Sequence, residues 1–441
     1  MRGAGCDVRR ILLLATTTGY QTRAFGEAAE RLGVELVFAT DRCHLIDDPW
    51  RDGAIAIRFY DETASVAAIL EAAQAQPIDG VLVVGDRPTV IAARVAEALG
   101  LPGHPPAAAA AARNKQTTRE ILRAAGLPAP WFLAVPVAAD PRSIENTLTF
   151  PCVVKPLALS GSRGVIRADD PESFREAALR LRTLLETPDV RAERNDAHQT
   201  MLVEGFIPGR EFAIEGILHH GALQVLAVFD KPDPLDGPFF EETIYLTPST
   251  SPEGERRAIV NAVARAAEAL GLRHGPIHAE CRVNEDGVFV LEVAARPIGG
   301  LCARALRFRK GAVPLFHEKG VRPLFALEEI LLRHALGESP AAWTREPLAA
   351  GVMMIPIPRR GVFRGVTGLE EAQSITGVED VRITAKPDQL LVPLPEGASY
   401  LGFIFARAES RAAADRALRA AHQRLRFAID AEWPVVQSRH G

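Results

Sequence analysis

The stretch Ile277-His-Ala-Glu-Cys-Arg-Val-Asn-Glu-Asp-Gly-Val-Phe-Val-Leu-Glu-Val-Ala-Ala-Arg296 decides how this chain reads. Apolar runs flank Asn284-Glu-Asp-Gly287, and a glycine closing a three-residue loop predicts a β-hairpin with a bulged turn. Pairing Asn284 with Val288 then sets Val283 against Phe289, Cys281 against Leu291 and Glu280 against Glu292. Side chains alternate along a strand, so Ala279, Cys281, Val283, Phe289, Leu291, Val293 and Ala295 share an apolar face. His278, Glu280, Arg282, Glu292 and Arg296 share the other. Like charges opposite each other on a sheet repel. Two carboxylates held that way on core-like strands predict a cation between Glu280 and Glu292.

Upstream, other polar groups interrupt apolar segments. Lys155 ends the strand-like Cys152-Val-Val-Lys-Pro156 and is followed by Ser160-Gly-Ser-Arg-Gly164. Two glycines so spaced let backbone amides approach an anion closely, which with the lysine makes a phosphate cradle or else a surface turn. The GK[ST] of a Walker loop is absent, which excludes that class. Glu204 ends one apolar run and Glu211 begins another after a Pro-Gly turn; taken alone, each equally suits a solvated strand end. Lys231–Ser251 is rich in proline, glycine and aromatics, the texture of a functional loop. Its Lys231, Glu241 and Glu242 are candidates for contact with a substrate.

The first hundred residues alternate strand and helix (Ile11–Ala15, Arg23–Leu32, Val34–Thr40, Ser65–Ala75, Gly80–Val84, Pro88–Leu99), which predicts parallel β-α-β units in a doubly wound sheet. Only Thr17-Thr-Gly-Tyr20 follows the first strand, with no GxGxxG, so a dinucleotide site is not expected. Beyond residue 346, short strands with many turns and a closing helix predict a separate α+β domain. The chain's 441 residues fit two to four domains. A net charge of −4 gives no electrostatic reason to expect nucleic acid or anionic membrane as a partner. Five scattered cysteines, with no CxxC or Cys/His zinc spacing, predict a reduced, cytoplasmic setting. No apolar run approaches the ~18 residues of a membrane helix.

The ordered set Lys115, Lys155, Ser160–Gly164, Glu204 with Glu211, and Glu280 with Glu292-Val-Ala-Ala-Arg296 resembles the ATP-grasp ligases, which include biotin carboxylase and D-alanine–D-alanine ligase. The likeness covers about residues 10–430 and is least specific in the last domain. It implies a multidomain α/β and α+β chain with the ATP-grasp fold. Its parts would be an N-terminal doubly wound domain (1–112), a lid subdomain (113–203), a catalytic subdomain (204–345) and a C-terminal α+β lid domain (346–441). The cofactors implied are ATP and Mg²⁺, with Mn²⁺ as an alternative. By the resemblance, Lys115 contacts the α-phosphate and Lys155 the α- and β-phosphates. Ser160, Gly161, Ser162 and Gly164 belong to a flexible loop over the β- and γ-phosphates. Glu204, Phe206 and Ile207 form the adenine hinge, and Glu211 binds the ribose. Glu280 and Glu292 hold the metal, and Arg296 meets the activated carboxylate.

Many relatives carry Glu-x-Asn at the second metal position, whereas this chain has Glu292-Val-Ala294. Glu-x-Ala-Ala-Arg is similar to the bacterial L-amino-acid ligases of the bacilysin-synthetase type. The reaction implied is carboxylate–amine ligation through an acyl phosphate, with small carboxylate and amine substrates of the amino-acid class. A bicarbonate-activating carboxylase of the biotin or purine type is the alternative, and a homodimer stays open. A biotinyl-carrier Met-Lys-Met is absent. His278-x-Glu280 lacks the PCxxC of a zinc deaminase. His219-His220 reads as a solvated turn, Arg304, Arg307, Arg309 and Lys310 as an exposed helix end, and Arg282 as a partner for a nearby carboxylate.

Overall fold

The computed structural model describes residues 8–16, 19–41, 54–311 and 323–431. Cys6, Thr17, Thr18 and Cys43 lie outside them. The buried run Ile11–Ala15 sits in β1 (Arg10–Ala15), which pairs in parallel with β2 (Glu35–Asp41) and β4 (Gly80–Val84); β3 (Ile55–Ile57) extends the sheet beyond β2. Helices α1 (Gly19–Leu32) and α2 (Glu62–Ala75) connect these strands as the alternation predicts, and α3 (Thr89–Ala98) follows β4. Then α4 (Pro106–Arg113) and α5 (Lys115–Ala124) lead into a four-stranded antiparallel sheet. Its strands are β5 (Phe132–Pro136), β6 (Cys152–Pro156), β7 (Ile166–Ala168) and β8 (Thr200–Gly205), in the order β5-β8-β6-β7. Asn114 caps α5, its side chain accepting from the amides of Gln116 and Thr117, which fixes Lys115 at the first turn. Helices α6 (Pro171–Leu185) and α7 (Pro188–Arg191) cover this small sheet.

The central sheet starts with β9 (Arg210–His219), β10 (Ala222–Asp230) and β11 (Ile244–Thr247). After α8 (Glu253–Ala269) come β12 (Gly275–Asn284) and β13 (Gly287–Ala294). Next are β14 (Arg307–Lys310), β15 (Phe325–Ala326), α9 (Leu327–Ala335), β16 (Trp343–Arg345), β17 (Ala349–Ile355), β18 (Gly361–Thr367), α10 (Leu369–Gln373), β19 (Val378–Ile383), β20 (Leu390–Leu391), β21 (Gly402–Ala408), α11 (Arg411–Arg424) and β22 (Arg426–Asp430). Eight strands run in the order β13-β12-β9-β10-β11-β17-β21-β19. Strands β17, β19 and β21 of the C-terminal part thus continue the same sheet. Strand β11 lies inside the stretch read as irregular and pairs with both β10 and β17, joining the two halves. Four residues between proline- and glycine-rich flanks are too few to show a period.

One face of the central sheet packs on α4, α5 and α8, and the other on α1, α9 and the N-terminal sheet. Both are dry apolar layers. Side-chain placement along β9 follows alternation: Phe212 and Ile214 enter the first layer, Ala213 and Ile217 the second.

Candidate active site

The hairpin forms with a different turn from the one predicted. Asn284 pairs with Gly287, Val283 with Val288 and Cys281 with Val290, so the loop has two residues. The register then shifts, and Glu280 nevertheless faces Glu292. Leu291 is the extra residue, a β-bulge that reverses the phase of the strand. Val288 and Val290 therefore enter the core in place of Phe289 and Leu291, and Leu291 turns to the site face.

That face forms one wall of a cavity of about 620 Å³ between the small sheet, the central sheet and the N-terminal domain. Nucleotide-sized ligands need a space of this order, roughly 300–1,000 Å³. Lys115, Lys155, Ser160, Gly161, Ser162, Glu204, Phe206, Ile207, Glu211, Glu280, Glu292 and Arg296 all line it. Gly164 does not. Its φ is 74°, its amide donates to the Pro395 carbonyl at 2.8 Å, and an added Cβ would meet Leu181 Cδ1 at 2.9 Å. Gly164 thus fits a tight packing position at the loop's end and does not itself face the cavity.

At one end the walls are apolar. Val153, Leu235 and Phe240 form a small cluster with Val165 and Phe206 beside them, and the Phe206 and Phe240 rings stack at 6.3 Å. Arg282 backs this slot, its guanidinium 5.1 Å from the centroid of Phe206 and 5.5 Å from that of Phe240. It donates to Glu211 (2.8 Å), the Ile207 carbonyl (2.8 Å) and the Leu235 carbonyl (2.6 Å). Arg282 accordingly fixes Glu211 and the chain around Ile207, beyond the simple carboxylate pairing expected of it.

Glu204 and Glu211 are buried, not solvated strand ends. The Glu204 carboxylate receives Arg119 through Nε (2.8 Å) and Nη2 (3.2 Å), and Lys155 Nζ at 2.5 Å. Burial alone would raise its pKa, but these two cations outweigh burial and hold it at about 2. Lys155, half-buried on the cavity wall, is pushed below the ordinary lysine range by burial against the opposing pull of Glu204. Lys115 Nζ donates to the Leu159 carbonyl (2.7 Å) and stands 3.9 Å from Glu292 Oε2.

The middle of the cavity is acidic. Lys231 Nζ donates to Glu211 Oε1 (2.7 Å), Glu242 Oε1 (2.7 Å) and Glu280 Oε1 (3.0 Å). Burial opposes charge on this amine, yet the three carboxylates raise its pKa well above the ordinary value. Glu280 falls well below its ordinary value: burial acts upward, but Lys231 and His278 prevail. Glu242 is pushed up to about 7 by burial, partly offset by Lys231 and reinforced by Glu280. His278 rises to about 9, because Glu215 and Glu280 overcome the effect of burial. Its Nδ1 lies 3.1 Å from Glu215 Oε2.

The carboxylate oxygens of Glu211, Glu242 and Glu280 lie within 4.8 Å of one another, a hard oxygen donor set whose centre the Lys231 ammonium already occupies. Glu292 is not part of that trio. It remains opposite Glu280, and two carboxylates open to the cavity suit Mg²⁺ or Mn²⁺ completed by phosphate oxygens.

Arg296 differs from the free substrate-binding guanidinium expected of it. Its Nε and Nη2 grip Asp86 at 2.8 and 3.1 Å, and Nη1 donates to the Pro297 carbonyl. One N–H on each Nη remains to face the cavity. Asp86 was missed although it follows β4 at the carboxyl edge of a parallel sheet, where sites gather. Arg119, four residues after Lys115 on one helix face, and Glu215, in step with Glu211 on β9, carried equally readable signals. Arg304, Arg307 and Lys310 lie away from the cavity, on a 3-10 turn and a strand, paired with Asp380, Glu379 and Glu338.

Known proteins match this chain in sequence and fold. An ATP-grasp domain family matches residues 148–305, an ATP-grasp N-terminal domain residues 26–103, and L-amino acid ligase C-terminal domain 2 residues 353–430. By fold and by these matched segments the chain is similar to the ATP-grasp ligases. Within that class the chain resembles the L-amino acid ligases. The crystal structure of L-amino acid ligase from Bacillus licheniformis superposes with a TM-score of 0.78 at 28% identity, over 97% of this chain and 100% of that one. An uncharacterized protein of Sinorhizobium fredii is 26% identical over 96% of this chain and 84% of its own length. Alanine–anticapsin ligase of Bacillus subtilis is 29% identical over 47% of this chain, a match spanning about half (46%) of that relative's length.

Proposed function

We propose that the protein is an ADP-forming carbon–nitrogen ligase that joins two amino-acid-like substrates in a dipeptide-like amide bond. One observation carries the reading. Beyond the acidic centre the cavity is closed by Met354, Thr384, Gln389, Ser399, Tyr400 and Phe403, all within the segment that matches the L-amino acid ligase C-terminal domain. The apolar slot and these C-terminal residues belong to one cavity, which Tyr245 and Cys302 also line, so it has walls beyond those a nucleotide would use.

The chemistry proposed has two steps. A carboxylate oxygen of the first substrate attacks the γ-phosphorus of ATP, the bond to the β-phosphate oxygen breaks, and ADP leaves. The amine of the second substrate then attacks the acyl-phosphate carbon. The tetrahedral intermediate collapses with loss of phosphate, and the amine gives up a proton. Lys115, Lys155 and the Ser160–Ser162 amides would bind the polyphosphate, and the free N–H edges of Arg296 the acyl group. Glu242, held near neutrality, is placed to anchor the incoming amine and take its proton. Glu280 and Glu292 would hold Mg²⁺ or Mn²⁺, which when bound neutralises charge on the leaving phosphates.

The test is ADP and phosphate release across an amino-acid panel, with mass spectrometry of the products. One amide formed per ADP is expected. Turnover that required bicarbonate and yielded no amide would replace this reading with a carboxylase.

A further inference from the structure

At the end of β9 opposite to Glu211, among residues that do not line the nucleotide cavity, three imidazoles meet. His219 ends β9, His274 lies in the turn between α8 and β12, and His334 is in the last turn of α9. One ring nitrogen of each lies within 4.8 Å of the others. His219 Nδ1 and His334 Nε2 are 3.3 Å apart. A tetrahedral zinc ion with bonds of about 2.0–2.1 Å sets its nitrogen ligands about 3.3–3.4 Å apart, so one edge of such a site is in place. The pair His219-His220 is thus not the plain solvated turn that the sequence suggested.

The decisive group is His274. It is 6% exposed, and neither of its ring nitrogens has a hydrogen-bond partner among the described residues. Native proteins rarely leave a buried polar group unsatisfied. His104 nearby is spoken for: Nε2 lies 3.2 Å from the Pro276 carbonyl, and Nδ1 accepts from the Arg273 amide. A small cavity of about 40 Å³ touches His104, His274 and His334 but not His219.

We propose that His219, His274 and His334 form a second metal site, for a transition-metal dication of the zinc class, distinct from the nucleotide-linked site. Imidazole suits zinc, cobalt, nickel and copper over magnesium or calcium. A fourth position would take water. Because α9 packs on α1 and β4, an ion bound here ties the N-terminal domain to the central sheet. Its ligands stand 55 and 60 residues apart, so it would close two long loops.

The test uses the full-length protein, stripped with EDTA, saturated with Mg²⁺ and titrated with Co²⁺. One equivalent should bind with intense visible ligand-field bands, Zn²⁺ should erase them, and Zn²⁺ should raise the unfolding midpoint. His274→Gln and His334→Gln should each abolish the bands and the midpoint shift while MgATP still binds. Unchanged bands in both variants, or no stoichiometric Co²⁺ binding by the wild type, would show only a buried imidazole stack. Should either variant fail to fold, zinc-edge X-ray absorption of the wild type decides: three imidazole nitrogens support the site, and an oxygen-only shell overturns it.

Discussion

Glu204 shows how much a single buried carboxylate can govern. It takes the Nε and Nη2 edge of Arg119 and the amine of Lys155 while itself buried. Its pKa, about 2 when folded, lies below the ordinary carboxylate value of 4.5. A depressed carboxylate adds stability that is complete above the unfolded pKa and disappears as pH falls through the folded one. The gap is worth on the order of 3 kcal/mol. Glu204→Gln leaves two cations without their counter-charge, and a cost of about 3–5 kcal/mol is expected at pH 7. Denaturant unfolding of both proteins should show the wild type's advantage intact at pH 5–7 and shrinking from pH 4.5 toward 2. An advantage independent of pH would mean that the charge of Glu204 does not matter. At this scale the sequence was partly legible. Polar residues out of place in apolar strands pointed to Lys155, Glu204, Glu211 and Glu280, all of which reach the cavity. What each one touches was not, because Arg119 lies 85 positions from Glu204 and Asp86 lies 210 from Arg296.

Among the elements, the β12–β13 hairpin repays the closest attention, since its register came out as expected at the carboxylates for a reason that alternation could not supply. A two-residue turn in place of three slips the pairing by one, and the bulge at Leu291 restores it. Alternation by itself cannot reveal two compensating shifts. Arg119 serves the bulge as well as Glu204: its Nη1 donates to the carbonyls of Val290 (3.2 Å) and Leu291 (3.0 Å). Deleting Leu291 leaves Glu292 opposite Glu280 but takes away the bulge, the Leu291 carbonyl that Arg119 holds and the Leu291 side chain on the cavity wall. MgATP affinity by calorimetry should fall at least about tenfold, a loss of ~1.4 kcal/mol, and retention of wild-type affinity would refute the bulge's role. Arg119→Lys keeps the charge but cannot fork between Glu204 and the two carbonyls. It is expected to raise the KM for ATP more than it lowers kcat, measured by coupled ADP release.

For the whole molecule, the question is what joins the lid to the body. The sequence suggested a separate C-terminal domain, because texture changes near residue 346 and a four-residue connecting strand carries no period. The eight-stranded sheet runs through that boundary, and Met353, Ile355 and Ile404 share a core with Ile244 and Leu246. A chain ending at Glu346 would leave β11 as an open apolar edge, so it is expected to aggregate, whereas a detachable domain would leave a soluble remainder. The same C-terminal part also reaches across the cavity mouth. Gly164 donates to Pro395, Arg163 Nε donates to the Glu396 carbonyl at 2.8 Å, and Arg180 Nη2 meets Glu396 Oε2 at 2.9 Å. The glycine-rich loop and α6 are thus latched to the turn that precedes the cavity-lining Ser399 and Tyr400. Glu396→Ala cuts the Arg180 contact and leaves both backbone contacts in place. Exposed pairs of this kind are worth about 0.2–1 kcal/mol, so a rise in KM for ATP of up to about fivefold is expected. The more telling number is the ratio of ADP to amide product. If the latch keeps water from the acyl phosphate, loosening it should raise ADP release per amide above one, and a ratio still at one with KM raised would confine the latch to nucleotide binding.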